Sequence, residues 1–261
     1  MPTPLYNAEN SHFAYQLNWS LSIFANTQLP DPSAWLPKLK TATETDGVRI
    51  LEHHRQNNTH QFLISTQPFI APSQSIHSVK ARFQYLIRDA VPQAFRRNYH
   101  IQSIGSAKRE AIQNYVSSQT SHHIMADHRV QQRFADSQFH DPSANLSAPR
   151  RSAYGQFVYN LHLVFVHRER LNDIRPQYLE ETQSMLKRAS AHHKHLLSDV
   201  GILSDHVHLA IGCDIKESPL TVALSYLNNL AYAQGMKVAY QHGGYLGTFG
   251  EYDLGAIRQS L

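Results

Sequence analysis

The sequence predicts two copies of one α+β domain in tandem. Three pairs of similar segments recur in the same order, at offsets of 144, 147 and 145 positions. The pairs are FAYQLNW (13–19) with FVYNLHL (157–163), THQFLIS (59–65) with HVHLAIG (206–212), and HIQSIGSAKREAIQNY (100–115) with YLGTFGEYDLGAIRQS (245–260). Because chance rarely preserves both order and spacing, we interpret these pairs as an internal duplication.

Local patterns predict the elements of each copy in turn. The first two segment pairs alternate apolar and polar residues, which is typical of strands with one buried face. A turn with Ser and Pro follows the second pair, and apolar residues then recur at helical spacing in 76–90 and in 222–235. The third pair predicts a strand that ends at Gly105 or Gly250, with a helix behind it. Each copy therefore contains both strands and helices.

The repeat divides the chain into three parts. We expect a first domain over 1–120 and a second domain over 154–261. The segment 121–153 begins with helical character and continues with turns rich in Pro, Ser and Asn. We assign it to a linker that leaves the second copy free to take any orientation against the first.

Composition excludes several classes of protein. The single cysteine, Cys213, rules out an internal disulfide framework and a cysteine-rich zinc module. No apolar run reaches the roughly 18–20 residues of a membrane helix, and the first residues lack the pattern of a signal peptide. We therefore expect a cytoplasmic protein without a membrane partner. The excess of 24 basic over 20 acidic side chains permits a nucleic-acid partner without requiring one.

The segment SDHVHLAIG (204–212) contains a pair of histidines at strand spacing. His206 and His208 alternate with apolar residues, so both imidazoles should leave the same face of a sheet. Two imidazoles side by side form half of a site for a divalent metal. The alternative is a pair of strand histidines that are held by hydrogen bonds. The residues that follow contain no obvious nucleophile, so the rest of a site must come from elsewhere.

Each copy resembles the single-tyrosine HUH transposases, the insertion-sequence-200-like group. The resemblance covers most of both halves and follows one order: strand, long helix, D-H-x-H strand, Pro-bearing turn, helix, strand ending in Gly, and a helix with a tyrosine. It implies ferredoxin-like domains with antiparallel sheets, related by a pseudo-two-fold axis as in the family's dimers. It also implies that two histidines and a glutamine hold Mg²⁺ or Mn²⁺, while a tyrosine attacks single-stranded DNA.

The first copy departs from this family pattern at the metal pair but keeps the tyrosine. The two histidine positions fall on Thr59 and Gln61, and His60 between them should point to the opposite face. Tyr115 keeps the family's spacing after the glycine that ends the strand, and Gln119 follows four positions later. Positions i and i+4 share a helix face, so the phenol and the amide would point to the same side.

The second copy shows the reverse loss. It retains Asp205, His206 and His208, but Ser260 stands where the tyrosine should be. Each copy therefore lacks what the other keeps, as in a fused dimer with one surviving composite site. The resemblance then gives these roles: Tyr115 as nucleophile, and His206, His208 and Gln119 as ligands of Mg²⁺ or Mn²⁺.

Several alternatives remain open for individual residues. Tyr252 is the rival nucleophile, because it lies in the same copy as the histidines, although it follows Gly250 by only two positions. Tyr115 also fits an ordinary tyrosine of an amphipathic helix. Asp205 either orients a histidine ligand through a hydrogen bond on the side away from the metal or caps the start of its strand. A basic set around the first copy's second helix is either solvated or in contact with DNA phosphates: Lys80, Arg82, Arg88, Arg96 and Arg97.

Two functions fit these features. The first is metal-dependent cleavage and strand transfer of single-stranded, hairpin-bearing DNA through a 5′-phosphotyrosine, by a transposase or a domesticated derivative. We expect this enzyme to act as a monomeric pseudo-dimer in the bacterial cytoplasm, at the nucleoid. The alternative is a catalytically retired regulator that binds DNA hairpins or single strands without cutting. The complementary losses favour the enzyme, because drift alone would not spare one whole site.

Overall fold

The computed structural model describes residues 4–122, 125, 127–168 and 175–252. Its strands are β1 (His12–Gln16), β2 (Asn18–Ala25), β3 (Val48–Gln56), β4 (Thr59–Thr66), β5 (Phe95–Ile104), β6 (Phe139–His140), β7 (Arg150–Arg151), β8 (Gly155–Val158), β9 (Asn160–His167), β10 (Leu196–Ile202), β11 (His206–Gly212) and β12 (Tyr240–Phe249). Its helices are α1 (Pro32–Glu44), α2 (Pro72–Ile87), α3 (Arg109–Ser117), α4 (Gln119–His122), α5 (His128–Ser137), α6 (Pro176–His193) and α7 (Pro219–Ala233). Within this described part, no helix is long and apolar enough to cross a membrane.

One six-element unit occurs twice. The order β2-α1-β3-β4-α2-β5 recurs as β9-α6-β10-β11-α7-β12. The first unit forms a sheet in the order β3-β4-β2-β5, the second forms β10-β11-β9-β12, and neighbouring strands within each unit are antiparallel. This is the βαββαβ arrangement of the ferredoxin-like fold. The prediction of two tandem α+β domains is confirmed.

The central strands of the two units correspond at an offset that differs from the sequence prediction. Asn18 in β2 pairs with Ser65, as Asn160 in β9 pairs with Gly212. Asn18 is therefore equivalent to Asn160, which is an offset of 142 positions, whereas the shared F-x-Y-x-L pattern predicts 144. A shift of two residues leaves every side chain on the same face of the strand, so the pattern still identifies the buried side.

The helices cover one face of each sheet. Pro72 begins α2 and Pro219 begins α7, where the fixed φ of proline suits the first turn and its missing N–H costs nothing. Both helices bury apolar side chains against their sheets, among them Phe83 in α2 and Leu230 in α7. The opposite face of the second sheet is left for other elements.

The strand that precedes each unit joins the sheet of the other unit. β1 leaves the sheet of β2 and pairs in parallel with β12 of the second unit, while β8 pairs in parallel with β5 of the first. The chain crosses between sheets at Leu17 and at Tyr159, both of which are buried. Each sheet therefore contains a strand from the other copy's side of the crossing, which ties the two units into one body.

Matching hydrogen bonds join the ends of β5 and β12 at the centre of the molecule. The Thr248 hydroxyl donates to the Ile104 carbonyl at 2.6 Å, and the Ser103 hydroxyl donates to the Phe249 carbonyl at 2.7 Å. The same hydroxyls accept from the backbone N–H groups at the starts of β2 and β9. This reciprocity is what an approximate two-fold axis between the copies requires.

Two glycines allow the strands to cross closely at this centre. A Cβ on Gly105 would lie well inside 3.0 Å of the Thr248 carbonyl oxygen, and one on Gly250 would lie equally close to that of Ser103. Beyond the crossing, the Arg109 N–H donates to the Gly250 carbonyl at 2.7 Å. The chain after β5 therefore passes from its own unit onto the second one.

The segment expected as a linker, 121–153, forms structure against the second unit. Helix α5 packs on α6 and β10, and β6 pairs with β10 at the edge of the second sheet. Strand β7 pairs with β8. In its described residues this segment therefore extends both sheets as well as connecting the two units.

Candidate active site

Strand β11 presents two histidines on the sheet face that α6 and α7 leave uncovered. Val207 and Leu209 point into the main core. His206 and His208 alternate with them along the strand and therefore point to the opposite face. The two imidazole rings lie 4.8 Å apart between centroids, at an angle of 75°. Their proximity is what the alternation in the sequence predicts.

Each of these histidines has a hydrogen-bond partner at Nδ1. The Asp205 carboxylate accepts from His206 Nδ1 at 2.6 Å. His208 Nδ1 forms a 3.0 Å hydrogen bond with Nε2 of His162 in the neighbouring strand β9. A partner at Nδ1 fixes the ring orientation and makes Nε2 the nitrogen that would face a metal.

His162 is a site residue that the sequence reasoning missed. It is buried, and burial lowers the pKa of its imidazole to about 4, so the ring is neutral near pH 7. Its ring stacks on that of His208 at 5.3 Å. The available signal was alternation in β9: Leu161 and Leu163 point into the main core, so His162 points to the same face as His206 and His208 of the paired strand β11.

Helix α3 comes from the first repeat but lies on the second repeat's sheet, over β10 and β11. Val116 is fully buried and packs with Ala210, Leu146 and Phe249, which line that face. Polar contacts also hold the helix, since the Gln113 side-chain amide donates to Ser198 Oγ at 2.7 Å. The helix with the tyrosine therefore sits beside the histidines of the other copy.

Tyr115 on this helix lies against the rings of His208 and His162. Its ring centroid lies 5.4 Å from that of His208 and 6.2 Å from that of His162, in both cases nearly perpendicular. Its side chain is 47% exposed, so one side of the ring faces solvent. The phenol is thus close to the histidines and open to a large substrate.

Gln119, at the start of α4, packs against β10, the strand that pairs with the histidine strand β11. It is only 1% exposed, and its Nε2 donates to the Tyr115 carbonyl at 2.9 Å. A Cβ on Gly201, the cross-strand partner of His208, would lie 3.1 Å from Gln119 Cγ. The glycine makes room for the glutamine beside the histidine. Gln119 Oε1 is buried and accepts no hydrogen bond from any described residue.

The corresponding face of the first copy has different chemistry. Gln61, at the position of His208, donates through Nε2 to Ser20 Oγ at 2.9 Å. Ser20 itself corresponds to His162, so a Gln–Ser hydrogen bond replaces the His–His contact. His60 points to the opposite face and packs edge-on against Trp35 and Phe83. Thr59, at the position of His206, offers no imidazole.

The rival nucleophile lies outside every described helix. Tyr252 follows Gly250 by two positions and is 53% exposed. Ser260, at the expected tyrosine position of the second copy, lies outside the described residues.

The basic set lies on the first copy, away from the histidines. Lys80 donates to the backbone carbonyls of Arg96 and Arg97, and Arg82 pairs with Asp46 at 2.8 Å. Arg88 stacks over the ring of Tyr85. Three members of the set therefore contact other residues of the protein, whereas the side chains of Arg96 and Arg97 are exposed on β5.

The sequence matches one family in two places. The family is described as Transposase IS200 like, and the matched residues are 34–119 and 156–246, one stretch in each repeat. The search of curated proteins finds no match. The two stretches together cover well over half of the 261 residues: the first runs from within α1 to the start of α4, and the second from β8 into β12. The chain belongs to the IS200-like transposase family, as a tandem variant with two copies of the family's unit.

Proposed function

We propose that the chain cleaves and rejoins single-stranded DNA at one composite site. Tyr115 would come from the first copy, and His206 and His208 from the second. Membership of the transposase family supports DNA cleavage as the activity. The observation that carries the composite site is the 5.4 Å approach of the Tyr115 and His208 rings, made by a helix docked on the other repeat.

The residues of the site suit a divalent cation. Two imidazoles lie side by side, and the carbonyl oxygen of the buried Gln119 accepts no hydrogen bond from described residues. A buried oxygen without a donor is costly, and a cation would satisfy it. His206, His208 and Gln119 would hold Mg²⁺ or Mn²⁺. When bound, the ion would polarise the scissile phosphate and stabilise the charge that develops in the transition state.

Tyr115 would be the nucleophile of the first step. An O–P bond forms between its phenolic oxygen and the phosphate, while the bond to the 3′ oxygen breaks and that oxygen takes a proton. The products are a 5′-phosphotyrosine and a free 3′-hydroxyl. Because the phosphodiester energy is kept in the new bond, a 3′-hydroxyl can reverse the step without ATP. The exposed side of the ring leaves room for the DNA strand.

Two further residues would position the histidines. The Asp205 carboxylate holds the proton of His206 on Nδ1, and neutral His162 accepts from His208 Nδ1. Because both contacts are made at Nδ1, Nε2 is the nitrogen of each ring that would face a metal. Neither residue needs to touch the DNA.

We infer that one chain plays the part of a dimer, with single-stranded, hairpin-bearing DNA as the partner. The exchanged strands β1 and β8 and the reciprocal hydrogen bonds at the centre support a fused pair of units. Exposed Arg96 and Arg97 offer contacts for DNA phosphates away from the site.

The test is formation of a covalent adduct. The purified chain is incubated with single-stranded hairpin oligonucleotides labelled at either end, with Mn²⁺ and with chelator, and products are resolved under denaturing conditions. We expect an adduct on the 5′ phosphate that needs Mn²⁺ and disappears in Tyr115→Phe. Tight binding of the same DNA with no adduct under any metal condition would instead identify a retired regulator. An adduct that survives Tyr115→Phe but not Tyr252→Phe would make Tyr252 the nucleophile.

A further inference from the structure

A second group of metal-ligating side chains lies on the helix side of the second sheet, away from the composite site. His193 is the last residue of α6, His195 immediately precedes β10, and Glu217 precedes the first turn of α7. The sequence around the histidines, AHHKHLL (191–197), suggests a solvated helix face. Instead, the side chain of His195 is fully buried, and those of His193 and Glu217 are three-quarters buried.

The ligand atoms of these three side chains converge. One nitrogen from each histidine and one carboxylate oxygen lie within 4.8 Å of one another. His195 Nε2 is 2.7 Å from Glu217 Oε2, and His193 Nδ1 is 3.3 Å from Glu217 Oε1. The two imidazole rings stack at 5.2 Å. Small side-chain movements would place all three atoms around one ion.

The outer nitrogen of each histidine is held by a hydroxyl group. His195 Nδ1 is 3.1 Å from the Tyr226 hydroxyl, and His193 Nε2 is 2.7 Å from Ser225 Oγ. Without an ion, His195 Nε2 donates to the Glu217 carboxylate; when an ion displaces that proton, each outer nitrogen can donate to its hydroxyl and the inner nitrogen presents a lone pair to the ion. Metal-bound histidines are usually oriented by such a partner on the far nitrogen.

The first copy has an ion pair at the position equivalent to this cluster, between the end of α1 and helix α2. Asp46 corresponds to His193, and there the Ser78 hydroxyl donates to the Asp46 carboxylate at 2.6 Å, as Ser225 pairs with His193. Arg82 forms the ion pair with Asp46 at 2.8 Å. The residue that corresponds to Arg82 in the second copy is Asn229. The second copy thus keeps the serine but has a histidine and an asparagine in place of the two opposite charges.

We propose that His193, His195 and Glu217 form a second metal site that binds Zn²⁺ and joins α6, β10 and α7. Two imidazoles and one carboxylate are a ligand set that zinc accepts in tetrahedral sites, with the fourth position for water. The partial exposure of His193 and Glu217 gives the ion a path from solvent. The site is independent of the proposed DNA cleavage, because none of its residues belongs to the composite site.

The charge around the cluster supports an ionised carboxylate. The Glu217 carboxylate lies against one nitrogen of each histidine, and the Arg150 guanidinium is within electrostatic range. A deprotonated Glu217 supplies the negative charge that two neutral imidazoles lack.

The experiment is a zinc titration of the full, untagged chain with His206→Ala and His208→Ala, which removes the two proposed histidine ligands of the composite site. Zn²⁺ is titrated in competition with a chromophoric chelator, and Co²⁺ is added separately to record its visible absorption. We expect one equivalent of Zn²⁺ and an intense, four-coordinate Co²⁺ spectrum. Glu217→Gln and His193→Ala in this background should each weaken zinc binding by at least about 10–100-fold, since even outer-sphere changes have effects of that size.

The matched control is His192→Ala, the exposed neighbour of His193, which should leave zinc affinity unchanged. Circular dichroism confirms that each variant is folded, and Glu217→Gln preserves the shape of the side chain. Failure of the background chain to bind Zn²⁺ would refute the site. The site would also be refuted if Glu217→Gln and His193→Ala left the zinc affinity unchanged. Neither result bears on DNA cleavage, which depends on the removed pair.

Discussion

The rings of Tyr115 and His208 lie 5.4 Å apart and nearly perpendicular, although the residues are 93 positions apart and belong to different repeats. The contact depends on two features of the fold. Gly105 and Gly250 let β5 and β12 cross closely, and α3 then docks on β10 and β11. Side chains from both copies are thereby brought together, as the proposed composite site requires.

Gln119 should be required for metal-dependent cleavage. Gln119→Ala removes the buried carbonyl oxygen and should lower the rate of adduct formation by about 10–100-fold, with more Mn²⁺ needed for half-maximal rate. Gln119→Glu keeps an oxygen ligand and should retain more activity than the alanine variant. Equal rates for Gln119→Ala and the wild type, at limiting Mn²⁺, would contradict this role.

His162 should act by orienting His208. Its Nε2 makes the contact, and the amide of glutamine can reach a similar position, so His162→Gln should keep most of the activity. His162→Leu removes the hydrogen bond and should weaken the response to Mn²⁺ by about 10–100-fold. The measurement is cleavage rate against Mn²⁺ concentration for both variants. If the leucine variant matches the glutamine variant, the hydrogen bond has no such function.

The strand crossing should tolerate no side chain at Gly105. A methyl group there would press on the Thr248 carbonyl, so Gly105→Ala should destabilise the fold by about 1–3 kcal/mol. Urea unfolding measures this, with Ser106→Ala at the exposed neighbouring position as the control. A variant as stable as the wild type would mean that the strands do not cross at this distance.

Acid should destabilise the protein through its buried histidines. Burial lowers the pKa of His53, His60 and His162 from 6.5 to about 4. Between these values the unfolded chain takes up protons that the folded chain does not, so stability should fall as the pH drops from about 6.5 to 4. Above this range the three side chains contribute no pH dependence.

His60→Asn provides the test of this pH dependence. Asparagine can keep the hydrogen bond to His53 but cannot be protonated, so the loss of stability between pH 7 and pH 4.5 should become smaller. The exposed His192→Asn should behave as the wild type. Urea midpoints at the two pH values give the comparison. An undiminished loss in His60→Asn would show that this imidazole is not the source.

Part of this architecture can be predicted from sequence because the relevant signals are local or repeated. Alternation places His206 and His208 on one face, and the recurring segments predict the tandem units. Alternation does not say which strand lies alongside, so His162 could not be recognised as the partner of His208. Nor does an apolar strand pattern say which sheet it joins, which is why the exchange of β1 and β8 was not foreseen.

The central claim is that Tyr115 acts on the histidines of its own chain. The most direct measurement mixes a Tyr115→Phe chain with a His208→Ala chain and quantifies the covalent DNA adduct, with each variant alone and the wild type as references. Since each chain lacks one half of the proposed composite site, we expect the mixture to stay as inactive as the separate variants. Robust adduct formation in the mixture would contradict it, because the tyrosine helix would then be serving a second chain.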